Sequence, residues 1–307
     1  MTILPETTPA ISIRKLTKRY GSLAAVKDLD LEVRQGEIFG FLGLNGAGKT
    51  TTIRTLLDLL RPDQGSACVL GRDCQRQGLL VRALVGYLPG EAGFYGDMTG
   101  HEMLQLLGRL QRRPILREYR SEIQERLNLP DADLCRRLRE YSSGMKRKLC
   151  LLQAFQADPP LLILDEPTEG LDPLMQESFY ELLLDVRRKG RTVFMSSHVL
   201  SEVERVCERI ALIRKGELAL LASVEQLHRM AQRSVRVTFL ADVPSGPREL
   251  PAQYEILEIL PRSWSLKVRG SLGPLMAALA GLPVADLDVA EAHLEEVLMR
   301  YYREDSA

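Results

Sequence analysis

Along the first part of the chain, apolar residues gather in short runs separated by polar bends. Residues 11–16 and 29–33 form two such runs, the pattern of antiparallel strands. Glu37 to Leu42 is a mostly apolar run that leads into a glycine-rich loop. From Lys49 to Leu60 the apolar positions take helical spacing, which stops at Arg61-Pro62. The character changes over 99–140. Thr99 and Glu102 have the spacing of a capping box and predict a helix to about Arg112, and Leu116–Leu129 reads as another. A further helix runs through Phe155, capped by Ser142 or Ser143, so residues of about 97–158 read as a helical insertion. Strand-like runs return at 161–164, 192–195 and 210–213. Helical patterns at 174–189 and 201–208 separate them, the second with Ser201 and Glu204 as another capping box. Strands alternating with helices predict a parallel sheet.

After about Ser223 the pattern shifts. Residues 235–240 and 264–269 read as strands, 242–251 is rich in Pro and Gly, and 291–303 forms an amphipathic helix with an apolar face of Leu294, Val297, Leu298 and Tyr301. We therefore divide the chain into 1–222 and a separate small α+β domain, 223–307.

Composition narrows the classes. The 307 residues carry no formal net charge, with a pI near 6.9, so the overall field favours neither nucleic acid nor an anionic membrane. The basic runs Lys146-Arg147-Lys148 and Arg187-Arg188-Lys189 read as solvated helix faces. Five cysteines without a CxxC read as reduced thiols rather than a metal site, and the four histidines do not cluster. The N-terminus lacks the pattern of a signal peptide, and no apolar stretch is long enough to cross a bilayer. A path across a membrane would have to be formed by another chain.

The chemistry begins at GLNGAGKTT, Gly43 to Thr51. Gly43, Gly48, Lys49 and Thr50 complete a phosphate-loop pattern between a strand and a helix. Glycines let backbone N–H groups converge on phosphate oxygens, and the helix N-terminus adds partial positive charge. Lys49 is placed to reach the β- and γ-phosphates, and the Thr50 hydroxyl to bind Mg²⁺. Leu161-Leu-Ile-Leu-Asp165-Glu166 reads as a strand buried on both faces whose carboxylates emerge at its C-terminal end. Asp165 suits the Mg²⁺ shell. Glu166, its neighbour in an extended chain, points elsewhere and can hold the attacking water. Tyr141-Ser142-Ser143-Gly144-Met145 opens a second helix with small residues, a second anion site for one nucleotide. A head-to-tail dimer, in which each copy completes the other's site, accounts for both. The fold class is α/β: a P-loop nucleotide-binding core with an antiparallel β subdomain and a helical insertion, plus the small α+β domain.

Residues 11–222 resemble the ATPase of an ATP-binding-cassette (ABC) transporter. Tyr20 matches the aromatic position that stacks on adenine. GLNGAGKTT is similar to the Walker A motif, which implies that Asn45, Gly46, Ala47 and Thr51 also line the nucleotide. YSSGM stands where the family has LSGGQ, and LLILDEP matches the Walker B with Glu166 as its catalytic carboxylate. Glu169-Gly170-Leu171-Asp172 matches the D-loop, and Ser196-Ser197-His198 the switch histidine that senses the γ-phosphate. The tail resembles the small accessory domain of the bacterial drug-export-type branch. The resemblance implies an ATPase that uses ATP and Mg²⁺, homodimerises, binds no nucleic acid and drives a separate transmembrane permease. It also implies a peripheral position on the cytoplasmic face of a bacterial membrane, held through the permease alone, and Phe94, Tyr95 and neighbours through about Met103 facing that permease.

Two departures stand out. Ser143 and Met145 replace a glycine and a glutamine of the signature, leaving Ser142 and Gly144 for phosphate contact. After Tyr87-Leu88-Pro89 comes Gly90 and then Glu91, so the family's usual Q-loop glutamine ligand is absent. Two alternatives stay open at this point. One is a non-transport ABC ATPase acting on ribosomes or DNA, against which stand a single cassette and no basic excess. The other is a nucleotide-gated module with little turnover, against which stand Glu166 and His198.

Overall fold

The computed structural model describes residues 8–91, 93–110, 114–243, 254–290 and 294–303. The chain divides into two compact units, Met1–Leu221 and Ala222–Ala307. The first unit opens with β1 (Ile11–Tyr20), β2 (Leu23–Val33), β3 (Ile38–Leu42), α1 (Lys49–Leu56), β4 (Gln64–Val69), β5 (Arg72–Asp73), α2 (Gly78–Leu84) and β6 (Val85–Leu88). The insertion supplies α3 (Gly100–Leu110), α4 (Arg117–Arg126), α5 (Asp131–Leu134) and α6 (Ser143–Phe155). Then follow β7 (Leu161–Asp165), α7 (Pro173–Arg188), β8 (Thr192–Ser197), α8 (Leu200–Val206), β9 (Arg209–Arg214) and β10 (Glu217–Ser223).

Two sheets form from these strands. One has the order β2-β1-β4-β5 and is antiparallel. The other has the order β10-β9-β3-β8-β7-β6, with β9, β3, β8, β7 and β6 paired in parallel. Every residue of β3, β7 and β8 is buried, as strands covered on both faces require. Ile11, Ile13, Leu29 and Leu31 of the antiparallel sheet share one core with Phe39, Phe41 and Phe194 of the parallel sheet and Ile53 of α1. Phe39 and Phe194 stack with centroids 5.9 Å apart. Each such burial contributes about 1.5–3 kcal/mol. The register matters most for function. Leu42 pairs with Ser197 and Asp165 with Ser196, so the ends of β3, β8 and β7 lie side by side.

Two helices end earlier than their apolar patterns suggest. The expected 49–60 helix stops at Leu56, and the expected 116–129 helix spans Arg117–Arg126. Each is closed the same way. Asp58 and Asn128 take left-handed backbone angles. Leu59 N–H then bonds Arg54 O and Leu129 N–H bonds Gln124 O, at 2.8 and 3.1 Å. This C-terminal motif carries its own apolar residue past the cap, which extended the helical spacing in the sequence. The Thr99–Glu102 capping box forms in both directions. The expected extension of that helix to Arg112 lies partly outside the described residues. The Ser201–Glu204 box does not form. Val199 is the N-cap of α8, without a side-chain cap bond, so Ser201 already lies inside the helix. Ser142, not Ser143, caps α6, accepting from Met145 N–H at 3.2 Å.

The second unit contains α9 (Val224–Met230), β11 (Gln232–Phe239), β12 (Tyr254–Leu260), β13 (Ser263–Arg269), α10 (Gly273–Leu279), β14 (Val284–Val289) and α11 (Leu294–Arg303). Its sheet is antiparallel in the order β12-β13-β11-β14. Val235, Val237, Leu266, Val268 and Leu275 build the core around Phe239 and Trp264, whose rings meet edge to face at 4.7 Å. Leu294, Val297 and Leu298 of α11 are buried. Most of the expected Pro/Gly-rich stretch at 242–251, and the start of the expected 291–303 helix, lie outside the described residues.

Candidate active site

The loop between β3 and α1 folds because Gly46 and Gly48 take φ of 80° and 110°, angles that side-chain-bearing residues avoid. Gly48 is the N-cap of α1, so the first turn of that helix presents free N–H groups toward the loop. Lys49 is buried. Its Nζ donates to Gly43 O at 2.6 Å and Leu44 O at 3.3 Å, and lies 3.1 Å from Glu166 Oε1. That last contact is electrostatic only, because Glu166 Oε1 accepts no hydrogen bond among the described residues.

The Thr50 hydroxyl donates to Asp165 Oδ2 at 2.9 Å. The other oxygen of this buried carboxylate accepts from the Ser196 hydroxyl. Glu166 takes φ of 49°, which turns it out of the line of β7, and its N–H donates to Ser196 O and Oγ at 3.2 and 3.1 Å. Its Oε2 meets His198 Nδ1 at 2.8 Å. Lys49, Thr50, Asp165, Glu166 and His198 are thus brought into one connected group. Thr50 and Asp165 offer hard oxygen donors side by side, which suits Mg²⁺ held largely by phosphate and water. Among the described residues no cluster of three His, Cys, Asp or Glu could hold a metal alone. Burial, with the Asp165 charge second, pushes the Tyr87 phenol up to about 12. Burial likewise pushes the Cys74 and Cys150 thiols up to about 12 and 11, which keeps them protonated at neutral pH.

Other expected site residues stand apart from this group. Tyr20 is exposed at the end of β1, with Lys18 Nζ 5.8 Å from its ring centroid. Asn45 and Gly46 are exposed on the loop, Gly43 and Ala47 are buried, and Thr51 lies in the first turn of α1. Ser142 and Ser143 are exposed at the start of α6, beside the 169–172 segment: a Cβ on Gly144 would lie 3.2 Å from Gly170 O. Asp172 caps α7 through Met175 N–H at 2.9 Å. At the position of the missing glutamine, a Cβ on Gly90 would lie 3.5 Å from Asp165 Oδ2, and Glu91 is exposed.

One expectation fails here. Arg147 does not belong to a solvated basic face. It is buried, and its guanidinium donates to backbone carbonyls around the site. Burial pulls it down from its usual pKa. Its spacing to Cys150, Leu151 and Ala154, all buried on α6, was the available signal. Ser196, which orients Asp165, and Glu202, which joins the hydroxyls of Thr168 and Ser197, were also not assigned roles by sequence.

A phosphate loop at the end of one parallel strand, with two carboxylates at the end of another, is the arrangement of a P-loop nucleotide-binding protein. The family described as ABC transporter matches residues 26–169. An uncharacterized ABC transporter ATP-binding protein of Nostoc sp. is 39% identical over 208 residues, covering 67% of this chain; this chain spans only 62% of that relative's length. A bacitracin transport ATP-binding protein of Enterococcus faecalis is 30% identical over 294 residues, covering 93% of this chain and 94% of the relative. A solved ATP-binding subunit of an ABC transporter superposes with a TM-score of 0.67 at 28% identity, over 72% of this chain and 92% of that one. The chain belongs to the ABC transporter family.

Proposed function

We propose that this chain dimerises head to tail around two MgATP, hydrolyses them, and drives a separate permease that exports its cargo. The observation that carries the reading is the connected group at the strand ends: Lys49 and Thr50 at the phosphate loop, Asp165 and Glu166 at the end of β7, and His198 just after β8. Glu166 Oε2 is held by His198, which leaves Oε1 facing Lys49. When phosphate oxygens draw Lys49 toward the nucleotide, Oε1 is freed to accept a hydrogen bond from the attacking water and take its proton. His198 keeps the carboxylate aimed and reaches toward the γ-phosphate. Thr50 and Asp165 would hold Mg²⁺. The ion supplies charge neutralisation on the phosphate oxygens.

Ser142, Ser143, Gly144 and Asp172 serve the nucleotide bound by the other copy. The exposure of Ser142 and Ser143 at the start of α6, beside the 169–172 segment that ends in exposed Asp172, supports this. Tyr20 stacks on adenine. The first unit, to about 222, is the nucleotide-binding domain, and 223–307 an accessory domain that contributes dimer contacts or regulation. An apolar groove lined by Leu79, Val85, Tyr87, Phe94, Leu107 and Leu110 suits the permease contact, and exposed Tyr95 follows Phe94 in the chain. Met103 is buried and drops out of that surface. Among the described residues no helix is long and apolar enough to cross a membrane, so the chain would be peripheral, on the cytoplasmic face of a bacterial membrane through its permease.

Phosphate release from MgATP by the purified chain, together with co-purification of a multi-span membrane protein, tests the reading. Absence of turnover, or retrieval of ribosomes or DNA instead, would count against it.

A further inference from the structure

Arg147 is the most heavily engaged buried side chain near the site that the mechanism above does not use. It lies one turn into α6, the helix whose first residues face the second nucleotide in the proposed dimer. Its guanidinium reaches two separate stretches of backbone, 165–167 and 89–90. Nε donates to Pro167 O at 3.1 Å. Nη1 donates to Pro89 O at 2.7 Å and Gly90 O at 3.1 Å. Nη2 donates to Asp165 O at 2.9 Å and to Glu166 O. All of these acceptors are backbone carbonyls, and none can be supplied by a side chain chosen to suit. The geometry therefore belongs to the guanidinium. A planar fork with five N–H donors can hold five carbonyls of two segments at once, and an ammonium with three donors on a flexible stem cannot.

The bridged segments are not arbitrary. One contains Glu166, whose φ of 49° turns its peptide so that its carbonyl meets Nη2 while its carboxylate meets His198. Another is Pro89–Gly90, at the start of the stretch that includes Pro89, Gly93 and Phe94 in the wall of the apolar groove. In this chain Gly90 has no side chain to reach the nucleotide site, yet its carbonyl is tied to the same cation as the carbonyl of Glu166.

We propose that Arg147 is a positioning residue for hydrolysis: it fixes the backbone of Glu166 in its turned conformation, and it ties that backbone to the Pro89–Gly90 wall of the groove. A shift of that wall is then passed to the carboxylate through one guanidinium, a link that does not depend on a glutamine at position 90. The proposal rests on the reading of Glu166 as the residue that holds the attacking water. Removing the fork leaves the phosphate loop untouched, because Lys49 and Thr50 make none of these bonds. Nucleotide binding is therefore preserved while turnover falls. Misplacement of a catalytic group by about 1 Å costs up to roughly a hundredfold.

The test is steady-state phosphate release by the full chain across ATP concentrations, for wild type, Glu166→Gln, Arg147→Lys and Arg147→Ala. Wild type should turn over and Glu166→Gln should not; equal rates for these two would overturn the ATPase reading and this inference with it. Arg147→Lys, which keeps the charge and most of the volume, should lower kcat about tenfold to a hundredfold with KM within about twofold. Arg147→Ala should regain turnover on addition of methylguanidinium, which can refill the fork site, and not on addition of methylammonium. A kcat for Arg147→Lys within about twofold of wild type, in a chain where Glu166→Gln is inactive, overturns the positioning role alone. So does an Arg147→Ala variant that folds, binds ATP and gains nothing from methylguanidinium.

Discussion

Lys49 lies beside an anion of the protein itself. Its Nζ sits 3.1 Å from Glu166 Oε1, with 6% and 16% of the two side chains exposed. Phosphate must compete with that carboxylate. At an effective dielectric of about 20 the bare attraction at this separation is roughly 5 kcal/mol. Three features reduce what is lost on nucleotide binding. The contact lacks hydrogen-bond geometry. Lys49 can keep its bonds to Gly43 O and Leu44 O. Glu166 retains His198. A net penalty of about 1 kcal/mol remains, since the desolvation of a buried pair offsets most of its bare attraction. Glu166→Gln removes it, and MgATP should bind about fivefold more tightly. Relief of repulsion between Glu166 and phosphate would act in the same direction, so the single variant does not separate the two causes. A double-mutant cycle with Lys49→Met does. The assay is the Kd of a fluorescent ATP analogue for the four proteins. If the ion pair matters, Glu166→Gln tightens binding by about fivefold less in the Lys49→Met background than in wild type. Equal tightening in both backgrounds would refute the competition between Glu166 and phosphate for Lys49.

Two other substitutions probe the site's surroundings. Glu91 is exposed, so Glu91→Ala should leave the Kd for MgATP within about twofold; a loss of about tenfold, worth 1.4 kcal/mol, would show that Glu91 has taken over the ligand position vacated at Gly90. At Gly86 an added Cβ would lie 2.1 Å from Ala154 O and 2.7 Å from Pro159 Cγ. Gly86→Ala should therefore cost about 1–3 kcal/mol and lower the melting temperature by roughly 2–12 °C; an unchanged melting temperature would mean that β6 does not seat against the end of α6.

The parallel sheet and its chemistry were legible because two constraints coincide there. Strands buried on both faces must be apolar throughout, and the residues that follow them are polar for chemical reasons, so Leu42–Gly43, Asp165–Glu166 and Ser197–His198 stand out against their runs. What was not legible depended on partners distant in sequence. Arg147 looks like its basic neighbours until the carbonyls of 89–90 and 165–167 are folded around it. Helix ends at Asp58 and Asn128 were hidden because the apolar residues after them belong to the cap and not to the helix. In the second unit, β12 was missed because Tyr254–Leu260 is an edge strand with an irregular register between Ile256 and Glu258, which breaks the alternation a strand usually displays.

In the proposed mechanism Glu166 drives hydrolysis within a nucleotide-closed dimer. Its most direct test is the solution mass of Glu166→Gln, by light scattering on a sizing column, with and without MgATP, alongside phosphate release. A monomer is expected without nucleotide and a stable dimer with MgATP, because the site closes and cannot reset, with turnover nearly abolished. Hydrolysis near the wild-type rate, or a chain that stays monomeric with MgATP bound, would contradict it.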